Sequence, residues 1–192
     1  MRVCIADPPY LGRGRRLYGV GATNRQFSAN MRLKNESELG WVNGDNHPDA
    51  DAWDDPDTHR ALVYRLSEEY DAWAVAMAWD NLRHYLQWTP ADCWIGIWVK
   101  TSSPPSASRI HSSWEPVVVS PAPSRRRHNG PGSVVRGVLT ASSLQNFVGS
   151  KPPVWTRWVL DMLGYDPETD SVDDLFKGSG AVAQEIAQGT LL

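Results

Sequence analysis

Apolar positions along this chain follow two rhythms. Short unbroken apolar runs, bounded by turn-forming residues, alternate with segments in which apolar residues recur every third or fourth position. The first run, Arg2 to Ala6, predicts a buried strand that stops at Asp7-Pro8-Pro9, because two prolines end the hydrogen-bond ladder and fix the exit direction. From 11 to 55 periodicity fades among Gly, Asn and Asp residues, with Asn-Gly and His-Pro turn signals, which predicts a mobile substrate or lid loop. A helix is predicted from Thr58 to Tyr70, capped by Asp57 or Thr58, with Leu62 and Leu66 on its apolar stripe. Ala72 to Ala78 predicts a second strand, Leu82 to Gln87 a short helix and Cys93 to Lys100 a third strand. After a polar connector, Trp114 to Ser120 predicts a fourth strand, close enough in sequence to pair antiparallel with the third at a sheet edge.

Pro121 to Ser133 has the Pro, Ser, Arg and Gly content of an exposed loop. A helix from Ser150 to Leu163 follows, entered through Lys151-Pro152-Pro153 and ended by Gly164, with Trp155, Trp158, Val159, Met162 and Leu163 on one face. Ser171 to Phe176 predicts a last strand, and Gly178-Ser179-Gly180 opens a final helix toward Gln188. Strands alternating with helices predict an α/β domain, its sheet mostly parallel with an antiparallel edge pair. The 192 residues suit one domain with its own core.

Composition adds constraints. The formal net charge is −3, so no global basic field favours a polyanionic partner, and any such binding must use local patches. Two patches exist: Arg13, Arg15 and Arg16, and then Arg125, Arg126 and Arg127. The guanidinium fork suits phosphates and base edges, although charge runs are as often solvated surface. Ten tryptophans serve the core first and base stacking second. Cys4 and Cys93 lie in apolar runs and are expected to be buried free thiols, without metal-ligand spacing. No leader and no membrane span are expected, and the cytoplasm is the expected compartment.

Two motifs carry candidate chemistry. Asp7-Pro8-Pro9-Tyr10 stands at the carboxyl end of a strand, where open α/β sheets place ligands. Asp174-Leu175-Phe176-Lys177-Gly178-Ser179-Gly180 joins a strand to a helix, where glycines admit a close ligand and the helix amides face polar groups. Each alone is also a plain turn. Together, and with Ser150-Lys151-Pro152-Pro153 between them, they resemble the S-adenosylmethionine-dependent amino-methyltransferases, in a circularly permuted order with the catalytic element first.

The resemblance implies a Rossmann-like methyltransferase sheet and methyl transfer to the exocyclic amine of adenine in DNA, with S-adenosylmethionine as cofactor. Asp7 and the Pro8 carbonyl would accept the amine hydrogens, Pro9 would complete the rigid turn and Tyr10 would stack on the base. Lys151, Pro152, Asp174, Phe176, Gly178, Ser179 and Gly180 would bind the cofactor, and the two arginine patches would bind DNA. No metal is implied. Cytosine, RNA, or an inactive methyltransferase-like binding subunit are the alternatives. The family's pattern continues with strands that hold the cofactor ribose and adenine, and the twelve residues after Gly180 do not supply them. Asp170 and Asp173 both stand near enough to take the ribose. The strand before the glycines is then expected at the sheet edge, where a homodimer or a partner subunit would cover it.

Overall fold

The computed structural model describes residues 1–20, 48–101, 109–127, 134–142, 151–177 and 181–189. Most of the predicted lid, and Gly178, Ser179 and Gly180, lie outside the described residues. The order of elements is β1 (Arg2–Ala6), α1 (Gly14–Tyr18), a 3₁₀ turn (Pro48–Asp54), α2 (Pro56–Glu69), β2 (Ala72–Ala76), a 3₁₀ turn (Trp79–Asn81) and α3 (Leu82–Trp88). Then come β3 (Trp94–Lys100), β4 (Trp114–Ser120), a 3₁₀ turn (Pro123–Arg125), β5 (Val138–Ala141), α4 (Pro153–Leu163), β6 (Ser171–Asp174) and α5 (Ala181–Gly189).

Six strands form one sheet in the order β5-β3-β4-β2-β1-β6. β1 pairs parallel with both β2 and β6, while β4 runs against both β2 and β3. The predicted antiparallel pair therefore exists, but it is not at the edge. β5 lies outside it, parallel to β3, with Ile97 opposite Val138. The four residues of β5 are too few to show a strand period, and pairing with β3 creates the strand. At the other end β6 has only β1 beside it among the described residues, as expected.

Alternation along the strands sorts the core into two layers. On one face Val3, Ile5, Ala74, Trp98, Val117 and Val119 pack under Trp155, Trp158, Val159 and Leu163 of α4 and Val182 of α5. On the other, Cys4, Ala6, Trp73, Val75 and Val118 pack under Leu62, Val63 and Leu66 of α2 and Tyr85 of α3. Gly96 permits the close approach of α4: a Cβ there would stand 2.7 Å from the Trp158 ring and 2.9 Å from both Met162 Cε and Val117 Cγ1.

Helix limits follow from local chemistry. α2 begins two residues earlier than predicted because Pro56 takes the first helical position and Asp55, not Asp57 or Thr58, caps it by accepting from the Asp57 N–H. α4 starts at Pro153, after its lead-in through Lys151 and Pro152, and ends at Gly164, left-handed at φ 69°, with the Tyr165 N–H returned to Leu160 O at 3.0 Å. β6 ends at Asp174, short of Phe176, because Asp174 Oδ1 accepts the Phe176 N–H in an Asx turn. Both cysteines are free; Cys4 is buried, and burial pushes its thiol up to about 12. Among the described residues no helix is long and apolar enough to cross a membrane, and no cluster of His, Cys, Asp and Glu is placed to hold a metal.

Candidate active site

The candidate site gathers at one end of the sheet. β1 and β6 are parallel neighbours with Ile5 opposite Asp174, so the residues after Ile5 and after Asp174 emerge side by side. β4 is reversed, so its first residues reach the same end: Val117 pairs with Ala76, and Pro116 O receives the Met77 N–H. Lys100 closes β3 at this end as well. The strand ends thus bring Asp7, Tyr10, Lys100, Glu115 and Asp174 together, and the lead-in to α4 adds Lys151.

At the centre is the Asp7 carboxylate. Lys151 Nζ donates to its Oδ1 at 2.8 Å and its Oδ2 at 2.7 Å. The same ammonium donates to the Tyr10 hydroxyl at 2.8 Å. Tyr10 in turn donates to Glu115 Oε2 at 2.8 Å, and that oxygen lies 3.6 Å from Lys151 Nζ. Glu115 Oε1 is paired with Lys100. Two carboxylates and two ammoniums therefore balance in a partly dry cluster. Each finds a counter-charge, without which burial of any one would be costly. Exposure is graded: the Lys151 side chain is 7% exposed, Glu115 17% and Asp7 26%. Lys151 is the most enclosed of the three side chains, and Asp7 is the most open.

Electrostatics follow from this layout. Burial raises the Asp7 carboxyl above its ordinary value, against the pull of Lys151. Burial alone would also raise Glu115, but Lys151 and Lys100 outweigh it and hold Glu115 low. Burial alone would lower Lys151, but Asp7 and Glu115 hold its ammonium high. Tyr10 is raised well above its ordinary value by burial and by the charges of Glu115 and Asp7, so its hydroxyl stays a donor. Tyr18 of α1 is pushed up to about 12 by burial and Asp7. Asp174 is raised by burial, and the Asp7 charge adds to that shift. The ends of β1 and β6 thus present two carboxylates within electrostatic reach of each other.

Other predicted residues are placed as follows. Lys151 turns its ammonium to the tetrapeptide, and Pro152 caps α4 beside it. Phe176 stacks edge-on with Trp53 of the first 3₁₀ turn, ring centres 5.0 Å apart. Arg13 forms two bonds to the Asp80 carboxylate, at 3.0 and 3.2 Å, beside the end of β2. Arg15 is exposed, 3.9 Å from Asp51, and Arg16 is exposed next to it. The loop after Tyr10 is held down by the Asp54 carboxylate, which accepts from the Gly14 and Arg15 N–H groups that open α1.

The second arginine patch is elsewhere. β4 carries the chain away from Glu115 to Ser120, opposite Trp73 at the start of β2, so Arg125, Arg126 and Arg127 lie at the opposite end of the sheet. Their partners lie there too: Arg126 pairs with Asp92 before β3, and Arg125 stands 4.0 Å from Asp170 before β6. A five-residue strand separates the two ends by about 17 Å. The structure does not bring the two patches to one surface.

Glu115, Lys100 and Tyr18 did not stand out in the sequence. The available signal was a charge at the rim of an apolar strand, Trp114-Glu115-Pro116-Val117-Val118-Val119, and another at the end of Trp94 to Lys100.

No protein-family model matches the sequence, and neither does any curated protein. Among solved structures, the crystal structure of an M1.HpyAVI–SAM complex is similar, with a TM-score of 0.54 and 13% identity. The match covers 97% of this chain and 77% of that one. At that identity the likeness speaks for the fold: this chain has a methyltransferase-like α/β fold with a six-stranded mixed sheet.

Proposed function

We propose that this protein transfers a methyl group from S-adenosylmethionine to the exocyclic amine of adenine in DNA. The observation that carries the proposal is the partly exposed Asp7 carboxylate, held by buried Lys151 beside Tyr10. The similar fold of M1.HpyAVI, crystallised with SAM, adds support. Asp174, at the end of β6 beside the end of β1, fits that cofactor as an anionic partner for its ammonium.

An aromatic amine is a poor nucleophile because its lone pair is shared with the ring. Asp7, together with the Pro8 carbonyl, would accept the two amine hydrogens and so free that lone pair. Tyr10, anchored through its hydroxyl, would offer its ring to the base. When bound, S-adenosylmethionine would supply an electrophilic methyl carbon and a neutral thioether as its leaving group. Asp7 then takes the surplus amine proton and passes it to solvent, to which it is partly open. Catalysis of this kind is mainly positioning and fixed electrostatics. Pro152, Asp174, Phe176 and the Gly178-Ser179-Gly180 turn would line the cofactor side, whereas Lys151 is committed to Asp7 and Tyr10. A base in duplex DNA must leave the stack to reach Asp7. Arg13, Arg15 and Arg16, just beyond Tyr10, would hold the backbone beside it.

Labelled methyl transfer to assorted DNA and RNA, followed by nucleoside analysis, tests the proposal. Label in methylated adenosine of DNA is expected. Label in cytidine or in RNA would replace the substrate, and absence of label in every sample, with calorimetric binding of S-adenosylmethionine intact, would leave a binding subunit.

A further inference from the structure

Resting on the methyl-transfer reading, we propose that Glu115 is a positioning residue, which holds the Tyr10 hydroxyl and the Lys151 ammonium from β4 and thereby sets the orientation and acceptor strength of Asp7. Glu115 touches neither the amine nor the cofactor in this scheme. It acts through its two neighbours, and the geometry leaves little slack. Tyr10 has one hydroxyl, which donates to Glu115 and accepts from Lys151, so the ring is fixed by both. Lys151 is shared between Asp7 and Glu115. An ammonium pulled by two carboxylates draws less on either one. Asp7 is therefore held in place without having its lone pairs fully claimed. Lys100, paired with the far oxygen of Glu115, keeps Glu115 ionised and anchored to β3.

The position of Glu115 in the fold suits this task. It is opposite Trp98 in the register of β3 and β4, two residues from Val117, and so shares the face on which α4 packs. A carboxylate there, on the face that buried Val117 and Val119 continue, is held by Tyr10, Lys100 and Lys151.

The groups around Asp7 are Tyr10 on its own loop, Tyr18 on α1, Tyr85 on α3, Glu115 on β4, Lys151 before α4 and Asp174 on β6, with Lys100 on β3 behind Glu115. Of these, Glu115 raises Asp7 by like charge and Lys151 lowers it. Opposite substitutions therefore move Asp7 in opposite directions, which a merely structural role does not require.

The experiment follows the Asp7 carboxyl carbon by NMR across pH in the full chain, for wild type, Glu115→Gln and Lys151→Met. The Asp7 midpoint is expected to fall in Glu115→Gln and to rise in Lys151→Met. In parallel, Glu115→Gln is expected to lower kcat by about 10²-fold through misplacement of the acceptor and ring, with the Kd for S-adenosylmethionine unchanged. The acidic limb of kcat should shift with the Asp7 midpoint. Should Glu115→Gln fail to fold, Glu115→Asp serves instead, since it withdraws the oxygen from Tyr10 and Lys151; a smaller fall of the same sign is expected. An Asp7 midpoint indifferent to both Glu115 variants overturns the proposal, as does a loss of kcat that only tracks a loss of thermal stability. Because the titration needs no turnover, a wild-type protein that methylates nothing would defeat the methyl-transfer reading while the Asp7 midpoint still decides the role of Glu115.

Discussion

The proposed reaction concentrates its chemistry in one carboxylate, that of Asp7, and its surroundings make a sharp expectation. Asp7→Ala removes the acceptor for the amine hydrogens and is expected to reduce methyl transfer by at least about 10²-fold, in the range seen when one preorganised electrostatic partner is removed. Calorimetric binding of S-adenosylmethionine should persist; retained turnover would refute the assignment. His59 matters for stability instead. It is fully buried, with Nδ1 2.6 Å from the Tyr85 hydroxyl and Nε2 2.8 Å from Trp53 O. A carbonyl only accepts, so Nε2 carries the proton and Nδ1 accepts from Tyr85, which defines the neutral ring. Burial lowers the His59 pKa below its usual value of about 6.5. As pH falls through that value the unfolded chain takes a proton that the folded chain refuses, so stability falls. The slope approaches about 1.4 kcal/mol per pH unit until the folded His59 itself titrates. Denaturant unfolding from pH 7.5 down to 5 measures it, and His59→Gln should remove that slope.

Among the elements, the packing of α4 on β3 is the most exacting. Trp158, Met162 and Val117 close on Gly96, and the Trp158 indole is pinned by its N–H bond to Arg136 O at 2.7 Å. A methyl group at 96 has no room, because a rigid ring cannot swing aside as a flexible chain end would. Gly96→Ala is expected to cost about 1–3 kcal/mol, as overpacking of a filled core does. The denaturation midpoint should shift with an unchanged slope, and a variant as stable as wild type would show that α4 slides freely on the sheet. Because α4 is entered through Lys151, the same substitution should also weaken the hold on Asp7.

Across the whole molecule, the sheet keeps two groups of charged residues apart. One end carries Asp7, Tyr10, Glu115 and Asp174; the other carries Arg125, Arg126 and Arg127 with their acidic partners. Under the proposed function, replacing Arg13, Arg15 and Arg16 by Ala should weaken DNA affinity and flatten the dependence of log K on log salt, by up to about 0.9 for each phosphate that is no longer neutralised. Replacing Arg125, Arg126 and Arg127 should leave that slope unchanged and lower thermal stability modestly, since Arg126 and Arg125 are tied to Asp92 and Asp170. Titration of labelled DNA at several salt concentrations distinguishes the two. Equal slopes for both triple variants would place DNA elsewhere.

Sequence by itself determined what depends on neighbours in the chain. The apolar runs marked β1 to β4 and β6, Gly164 marked the end of α4, and two prolines marked the turn at Asp7, because backbone freedom and side-chain alternation are local properties. Tertiary structure decided what depends on which strands lie side by side. β5 is a strand only because β3 is beside it. Glu115 joins the cluster around Asp7, with Lys100 paired behind it, only because β4 runs backwards between β3 and β2. The same reversal carries Arg125, Arg126 and Arg127 away from the site, although nothing in the sequence around them forbade a place there. Pairing and direction come from contacts between residues far apart in the chain, and no local pattern encodes them.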